Sequence, residues 1–160
     1  MSTNAPTDAV ATAVAKIPSG LAVLTATHKE RSTGLLASWV QQASFEPLML
    51  TVCVKAGRPI ESMIDGSGRF VVNVLGENAT SLLKHFGRGF GPDDDAFAGL
   101  PVRVRDYGVQ LEACIAHVAC NVTEKVPAGD HFVYIGRVVA GEAKADAKPY
   151  VHLRKSATSY

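Results

Sequence analysis

The sequence predicts a mainly β fold with short helices, arranged as an antiparallel barrel. Three observations predict it. Apolar residues between Leu21 and Glu142 recur in short runs rich in Val, Leu, Ile and Thr, which is strand composition. Most of these runs are joined by turns too short for the crossovers that parallel strands require. The helical patterns number three, all short, and none alternates regularly with the strands.

Met1–Pro6 reads as a disordered lead-in. A helix follows from Thr7, a candidate N-cap, with Val10, Ala13, Val14 and Ile17 on one face. Pro18-Ser19-Gly20 ends it. Leu21–Thr27 is a strand and Glu30–Gly34 a polar turn. Leu35–Ala43 and Leu48–Val54 are two further strands. Pro59–Asp65 is a helix with proline at its first turn, where a missing N–H costs nothing. Arg69–Leu75 is a strand. Asn78 is placed to cap a helix over Ala79–Phe86, and Gly87–Gly99 is a Gly- and Asp-rich loop. Two long strands, Val109–Thr123 and Asp130–Glu142, are separated by a turn at Val126–Gly129. Residues 1–16 thus form an extension and helix, and 17–160 one domain, a division that suits a chain of 160 residues.

Bulk properties exclude several classes. Hydrophobic residues make up 47% and charged residues 19%, enough apolar mass for a core. A net charge of +1 gives no footprint for nucleic acid or an anionic membrane. The apolar runs fall far short of the roughly 20 residues that span a bilayer, and no signal-peptide pattern opens the chain. Cys53, Cys114 and Cys120 are odd in number and widely spaced, which fits structural thiols in a reducing cytoplasm. Cys114 and Cys120 share a strand face by parity but lie about 20 Å apart at the strand rise, too far to bond. The five histidines include no close-spaced pair, so no metal site is expected. Asp93-Asp94-Asp95 lacks the rest of a calcium loop and reads as an acidic turn. Gly87-Arg88-Gly89-Phe90-Gly91 is not GxGxxG and follows a helix, which removes the dinucleotide-fold reading.

Some positions carry chemistry on their own residues. Arg58 stands immediately before Pro59, where free N–H groups and the positive helix end favour an anion, with Lys55 and Ser62 near in sequence. By parity, Leu36, Ser38 and Val40 share one strand face, and Ala37, Trp39 and Gln41 the other. Asn73 is an amide in an apolar strand and needs partners. Gly129 permits a positive φ, and Asp130 can orient His131 or hold the turn.

The ordered set Ala37-Ser38-Trp39-Val40, Ala43-Ser44-Phe45-Glu46-Pro47, Val71-Val72-Asn73-Val74-Leu75, Leu82-Leu83-Lys84-His85-Phe86 and Gly129-Asp130-His131 resembles the flavin reductase-like family. The likeness runs from about Ile17 to Tyr160. It is strongest to the reductase module at the C-terminus of cyanobacterial flavodiiron proteins, here expected to stand alone. The resemblance implies an FMN-binding split β-barrel and an NAD(P)H-dependent flavin reductase acting on FMN, with FAD as the alternative flavin. It implies a homodimer and a downstream monooxygenase or other electron acceptor. The competing reading is a non-catalytic FMN-binding relay that takes electrons from a protein partner.

The resemblance also implies site residues. The flavin ring is expected on Leu36, Ala37, Ser38, Trp39, Val40, Gln41 and Ser44, and its phosphate near Lys55, Arg58 and Ser62, with Cys53 and Val54 as further expected cofactor contacts. Asn73 and Leu75 are expected to close the pocket, Phe86 to contact the cofactor, and Arg88 to reach a phosphate from the Gly87–Gly91 loop beside the flavin. His152, Arg154, Lys155, Ser156 and Tyr160 resemble a segment that caps the pocket near the ring or across a dimer interface. Gly129, Asp130 and His131 fall on the nicotinamide side, where His131 positions the ligands without acid–base work. Two departures from the family stand out. Pro47-Leu48 replaces Pro-Pro, and Lys55-Ala56-Gly57-Arg58 replaces a Ser/Thr-rich phosphate loop, making the phosphate end more cationic.

Overall fold

The computed structural model describes residues 8–158. The expected N-cap at Thr7, the lead-in and Tyr160 lie outside the described residues. Among the described residues there are three helices: α1 (Asp8–Ala15), α2 (Pro59–Ser67) and α3 (Thr80–Gly87). The strands are β1 (Ser19–Gly20), β2 (Ala22–His28), β3 (Arg31–Ala37), β4 (Val40–Ser44), β5 (Met49–Lys55) and β6 (Arg69–Val74). They continue with β7 (Val102–Arg105), β8 (Gly108–Leu111), β9 (Ala116–Ala128), β10 (His131–Ala143) and β11 (Val151–His152). None of the described helices is long and apolar enough to cross a membrane.

Seven strands form one sheet in the order β3-β2-β6-β9-β10-β5-β4, every pairing antiparallel. The two edge strands, β3 and β4, are consecutive in sequence and joined only by Ser38-Trp39. A two-residue link between opposite edges forces the sheet to curl on itself. Trp39 O accepts the Cys53 N–H at 3.0 Å and fastens the link to β5. Beyond it β3 pairs with β2 alone, so alternate backbone groups of β3 face a gap in the wall. The result is a split barrel, as expected.

Side-chain alternation builds two cores. Leu24, Val52, Val54, Phe70, Val72 and Tyr134 fill the barrel, and α2 plugs one end with Ile60, Met63 and Ile64. On the outer face, Val23, Leu75, Leu82, Phe86, Leu111 and Cys114 pack α3 and the β7–β8 hairpin against the sheet. Burial pushes the thiols of Cys114 and Cys120 up to about 12, which keeps them neutral and unreactive.

Several expected boundaries are corrected. The Glu30–Gly34 turn is only Lys29-Glu30, both at positive φ, because Arg31 already pairs with His28. The expected strand Leu35–Ala43 is broken at Ser38-Trp39 by the barrel closure. The strand Val109–Thr123 is two strands, interrupted at Glu112–Ile115, so Cys114 and Cys120 share no strand and enter different cores. The turn expected at Val126–Gly129 is Gly129-Asp130, since β9 continues through Pro127 to Ala128. Asn78 does not cap α3; Ala79 is its N-cap and no side chain bonds there. The apolar face of α1 is turned outward, with Val10, Val14 and Ile17 exposed and Ala15 buried.

Candidate functional site

The gap in the barrel wall is a cavity of about 220 Å³. Leu35–Trp39 form one side and Cys53, Lys55 and Arg58 the other, with Phe86–Gly89 across the mouth. The parity reading of Leu36–Gln41 fails here. Leu36, Ala37, Ser38 and Trp39 all line the cavity because the chain turns from one sheet edge to the other within these residues. Val40 instead packs against the barrel core, and Gln41 is exposed.

The floor is apolar and α3 sets its height. Phe86 is 1% exposed and lies against β3 at Gly34, where a Cβ would stand 2.6 Å from its ring. Any side chain at Gly34 would lift Phe86 away from the strand.

The rim is cationic. Lys55 ends β5, Arg58 precedes α2 in extended conformation (φ −71°, ψ 141°), and Arg88 follows α3. Among the described residues no Asp or Glu lines the cavity. Glu61 takes the Gly57 N–H at 2.7 Å, which fixes the loop that carries Arg58. The Arg88 guanidinium sits 4.8 Å over the Phe90 ring. Cys53 is half-buried in the lining, and burial raises its thiol above the ordinary value, so it contributes a neutral surface.

Gly129-Asp130-His131 stands behind this wall. Gly129 takes the positive φ of 63° that the tight β9–β10 turn needs. Asp130 holds His131 Nδ1 at 2.7 Å and reaches Lys55 Nζ at 3.8 Å. The His131 hydrogen bond, with Lys55 adding to it, holds the Asp130 carboxyl below its usual value. The imidazole, 8% exposed, packs at 4.8 Å against the Trp39 ring. On Trp39 also lies the Arg154 guanidinium, 4.1 Å from its centroid and 3.5 Å from Ser38 Oγ. His131 therefore reaches the cavity through Trp39.

Other expected site residues lie elsewhere. Val54 is in the barrel core and Leu75 in the outer core. Ser62 donates to Pro59 O at 3.0 Å on α2, away from the lining. Ser44 closes β4 beyond the cavity. Asn73 is fully buried and its amide is spent on backbone. Its Nδ2 donates to Val23 O at 3.1 Å and its Oδ1 accepts the Leu111 N–H at 2.8 Å, tying the β7–β8 hairpin to the sheet.

A second cavity of about 480 Å³ adjoins the first and shares Leu36, Ser38 and Gly87 with it. Leu21 and Leu83 form its floor, and Tyr150 to Ser156, which contains the expected capping residues, forms its outer wall. The contributions of Leu35 and Leu83 were missed; only the order of the sheet reveals that β3 borders a gap. The acidic run at Asp93–Asp95 shapes a turn, with Arg31 on Asp93 at 2.9 Å and the Gly91 N–H on Asp94 at 2.7 Å. Among the described residues no cluster of side chains could hold a metal ion.

The flavin reductase like domain is the family whose model matches this chain, over residues 14–160. Diflavin flavoprotein A 1 of Synechocystis sp. is 38% identical over 151 residues, which is 92% of this chain and 26% of that protein. The chain thus spans about a quarter of the length of the curated relatives it matches. Among solved structures, the styrene monooxygenase flavin reductase of Pseudomonas putida is 26% identical, with a TM-score of 0.75 over 88% of this chain and 90% of that one. An NADH:FAD oxidoreductase of Streptomyces globisporus reaches a TM-score of 0.82 at 19% identity, over 87% and 83% of the two chains, a likeness of fold alone.

Proposed function

The chain belongs to the flavin reductase-like domain family, and from that premise we propose that it is an NAD(P)H-dependent FMN reductase whose flavin sits in the barrel gap. The observation that carries this reading is the lining of that gap. Three cations, an apolar floor and an open strand edge meet there with no carboxylate. That set fits a planar ring system bearing a phosphate. A carboxylate-lined or wholly apolar gap would not.

FMN, when bound, accepts a hydride from nicotinamide and passes electrons onward. The residues of this chain bind and orient. Arg58, Lys55 and Arg88 hold the phosphate, with Arg58 placed immediately ahead of the positive end of α2. The backbone of β3 and its link offers N–H donors toward the ring edge, which stabilise the negative charge that grows there on reduction. Phe86 and Leu36 exclude water from one face. Asp130 fixes the His131 ring, and His131 with Arg154 fixes the plane of Trp39 beside the ring. No acid or base on the protein is required.

The styrene monooxygenase flavin reductase, 26% identical, supports flavin reduction through what its name states, and nicotinamide as the reductant is part of the proposal. The homodimer is part of the same reading, with Ile17, Val151 and Leu153, each more than 60% exposed, as its apolar surface. The diflavin relatives, of which this chain matches only a quarter, favour a second reading, a relay that takes electrons from a protein. Anaerobic mixing with FMN and NADH or NADPH separates the two. Bleaching of the flavin on nicotinamide addition supports the reductase. A protein that binds FMN, is reduced by dithionite and leaves both nicotinamides untouched is a relay.

A further inference from the structure

The turn that carries Lys55 and Arg58 spends its own backbone. The Ala56 N–H donates to Asp130 O at 3.0 Å, the Gly57 N–H to Glu61 Oε2 at 2.7 Å and the Arg58 N–H to Lys55 O at 3.3 Å. Pro59 has no N–H to give. These residues therefore leave no backbone donor for an anion, unlike the glycine-rich loops that cradle phosphate with their N–H groups. Lys55, Arg58 and Arg88 must read an anion with their side chains, and their convergence depends on how firmly the turn is held. Gly57, at φ 83°, is its loosest residue, because glycine restricts its own backbone least. One residue clamps it. The Glu61 N–H donates to Arg58 O at 2.9 Å, and the Glu61 carboxylate takes the Gly57 N–H on one oxygen and Lys125 Nζ, at 2.9 Å, on the other.

We propose that Glu61 is a positioning residue for the flavin phosphate: by holding the Gly57 N–H it fixes the approach of Lys55 and Arg58, although its own charge repels the anion they bind. The inference rests on the flavin reading above. Two effects of opposite sign meet in this side chain. As a carboxylate behind a cationic rim, Glu61 opposes an anionic ligand by Coulomb repulsion. As a clamp on Gly57, it orders the turn before the ligand arrives, so that less ordering is left to be done on binding. Loss of the charge alone should tighten FMN, and loss of the clamp should weaken it. The two carboxylate oxygens divide the work. The one on Lys125 joins α2 to β9 and serves folding, and the one on Gly57 serves the site.

The test titrates FMN and riboflavin into the whole chain at low salt, for the wild type, Glu61→Ala, Glu61→Gln and Lys125→Ala. Glutamine keeps a carbonyl oxygen for the Gly57 N–H, so the two Glu61 variants lose the same charge and differ in the clamp. FMN affinity is expected to fall about tenfold in Glu61→Ala and to equal or exceed that of the wild type in Glu61→Gln. Riboflavin, which has no phosphate, binds both variants as it binds the wild type. Lys125→Ala breaks the ion pair but leaves the Gly57 bond, and it keeps FMN affinity while lowering the melting temperature. The inference is overturned if Glu61→Ala binds FMN as tightly as the wild type or tighter, if both Glu61 variants weaken FMN equally, or if riboflavin affinity falls together with that of FMN. Amide hydrogen exchange over residues 55–58, read without ligand, separates this failure from that of the flavin reading. Exchange is expected to quicken in Glu61→Ala and to hold its wild-type rate in Glu61→Gln; an unchanged rate in Glu61→Ala overturns the clamp. A wild type that binds neither flavin overturns the flavin reading instead, and the exchange rates still decide whether Glu61 holds the turn.

Discussion

Helix α2 carries charge on two sides, and the two sides are treated differently. On its body, Glu61 and Asp65 converge on Lys125 at 2.9 and 2.7 Å, and Asp65 also accepts the Tyr134 hydroxyl at 2.9 Å. Lys125 is covered by the Phe132 ring at 4.1 Å. Burial, together with the Asp65 carboxylate, pushes the Tyr134 phenol up to about 12. Charge of both signs is thus brought together inside the chain. Ahead of the helix, Arg58 joins Lys55 and Arg88 around a gap that no carboxylate lines, and Asp130 reaches Lys55 only from behind, at 3.8 Å. Ion networks balanced within the chain serve folding. A concave rim carrying three cations is the arrangement that favours an anionic ligand.

Substitutions on the two sides should therefore separate binding from stability. The largest effect is expected from Arg58→Glu, which places a carboxylate against the phosphate. FMN affinity should fall about 100-fold or more, read by flavin fluorescence, with the melting temperature within about 2 °C of wild type. Lys125→Ala should do the opposite. It leaves Glu61 and Asp65 facing each other, costs about 2 kcal/mol and lowers the melting temperature by roughly 4–8 °C, with FMN affinity unchanged. Tyr134→Phe removes one bond to Asp65 and should cost about 1 kcal/mol by urea denaturation. Equal losses of affinity and stability in these variants would erase the distinction.

The smallest effect is a pH dependence on the folding side. Hydrogen bonds from Lys125 and from the Gly57 N–H hold the Glu61 carboxyl below its ordinary value of 4.5. A depressed carboxyl makes the unfolded chain bind more protons than the folded one in acid. Its stabilisation is complete above about pH 4.5 and is lost as the pH falls through the lowered folded value. Urea midpoints measured from pH 6 to pH 3 should fall less steeply in Lys125→Ala than in wild type.

Much of this was legible in the sequence, for identifiable reasons. The strands from Leu21, Leu48 and Arg69 announce themselves through short apolar runs, and α2 through Pro59. Arg58 and Lys55 stand out by their place before a helix, but only the family resemblance makes Arg58 an expected phosphate contact rather than a solvated surface arginine. What the sequence hides is closure. Nothing local in Leu35–Ala43 reveals that Ser38-Trp39 joins two opposite sheet edges, and so the alternation of faces was extended through a break. Asn73 shows the same limit. A buried amide must be satisfied, but whether by ligand or by backbone depends on the β7–β8 hairpin, whose strand Val102–Arg105 gave too short a signal. Ser62 was placed near the phosphate by sequence distance alone and helix geometry turns it away, while Val54, an expected cofactor contact, faces the barrel core.

The central claim is that the cationic gap holds a flavin by its phosphate. Titration of the protein with FMN and with riboflavin, which differ only in that phosphate, tests it most directly. The account predicts FMN binding at least tenfold tighter than riboflavin at low salt, with the ratio shrinking toward one as ionic strength rises and in Arg58→Glu. Equal affinity for the two flavins in the wild type would contradict it.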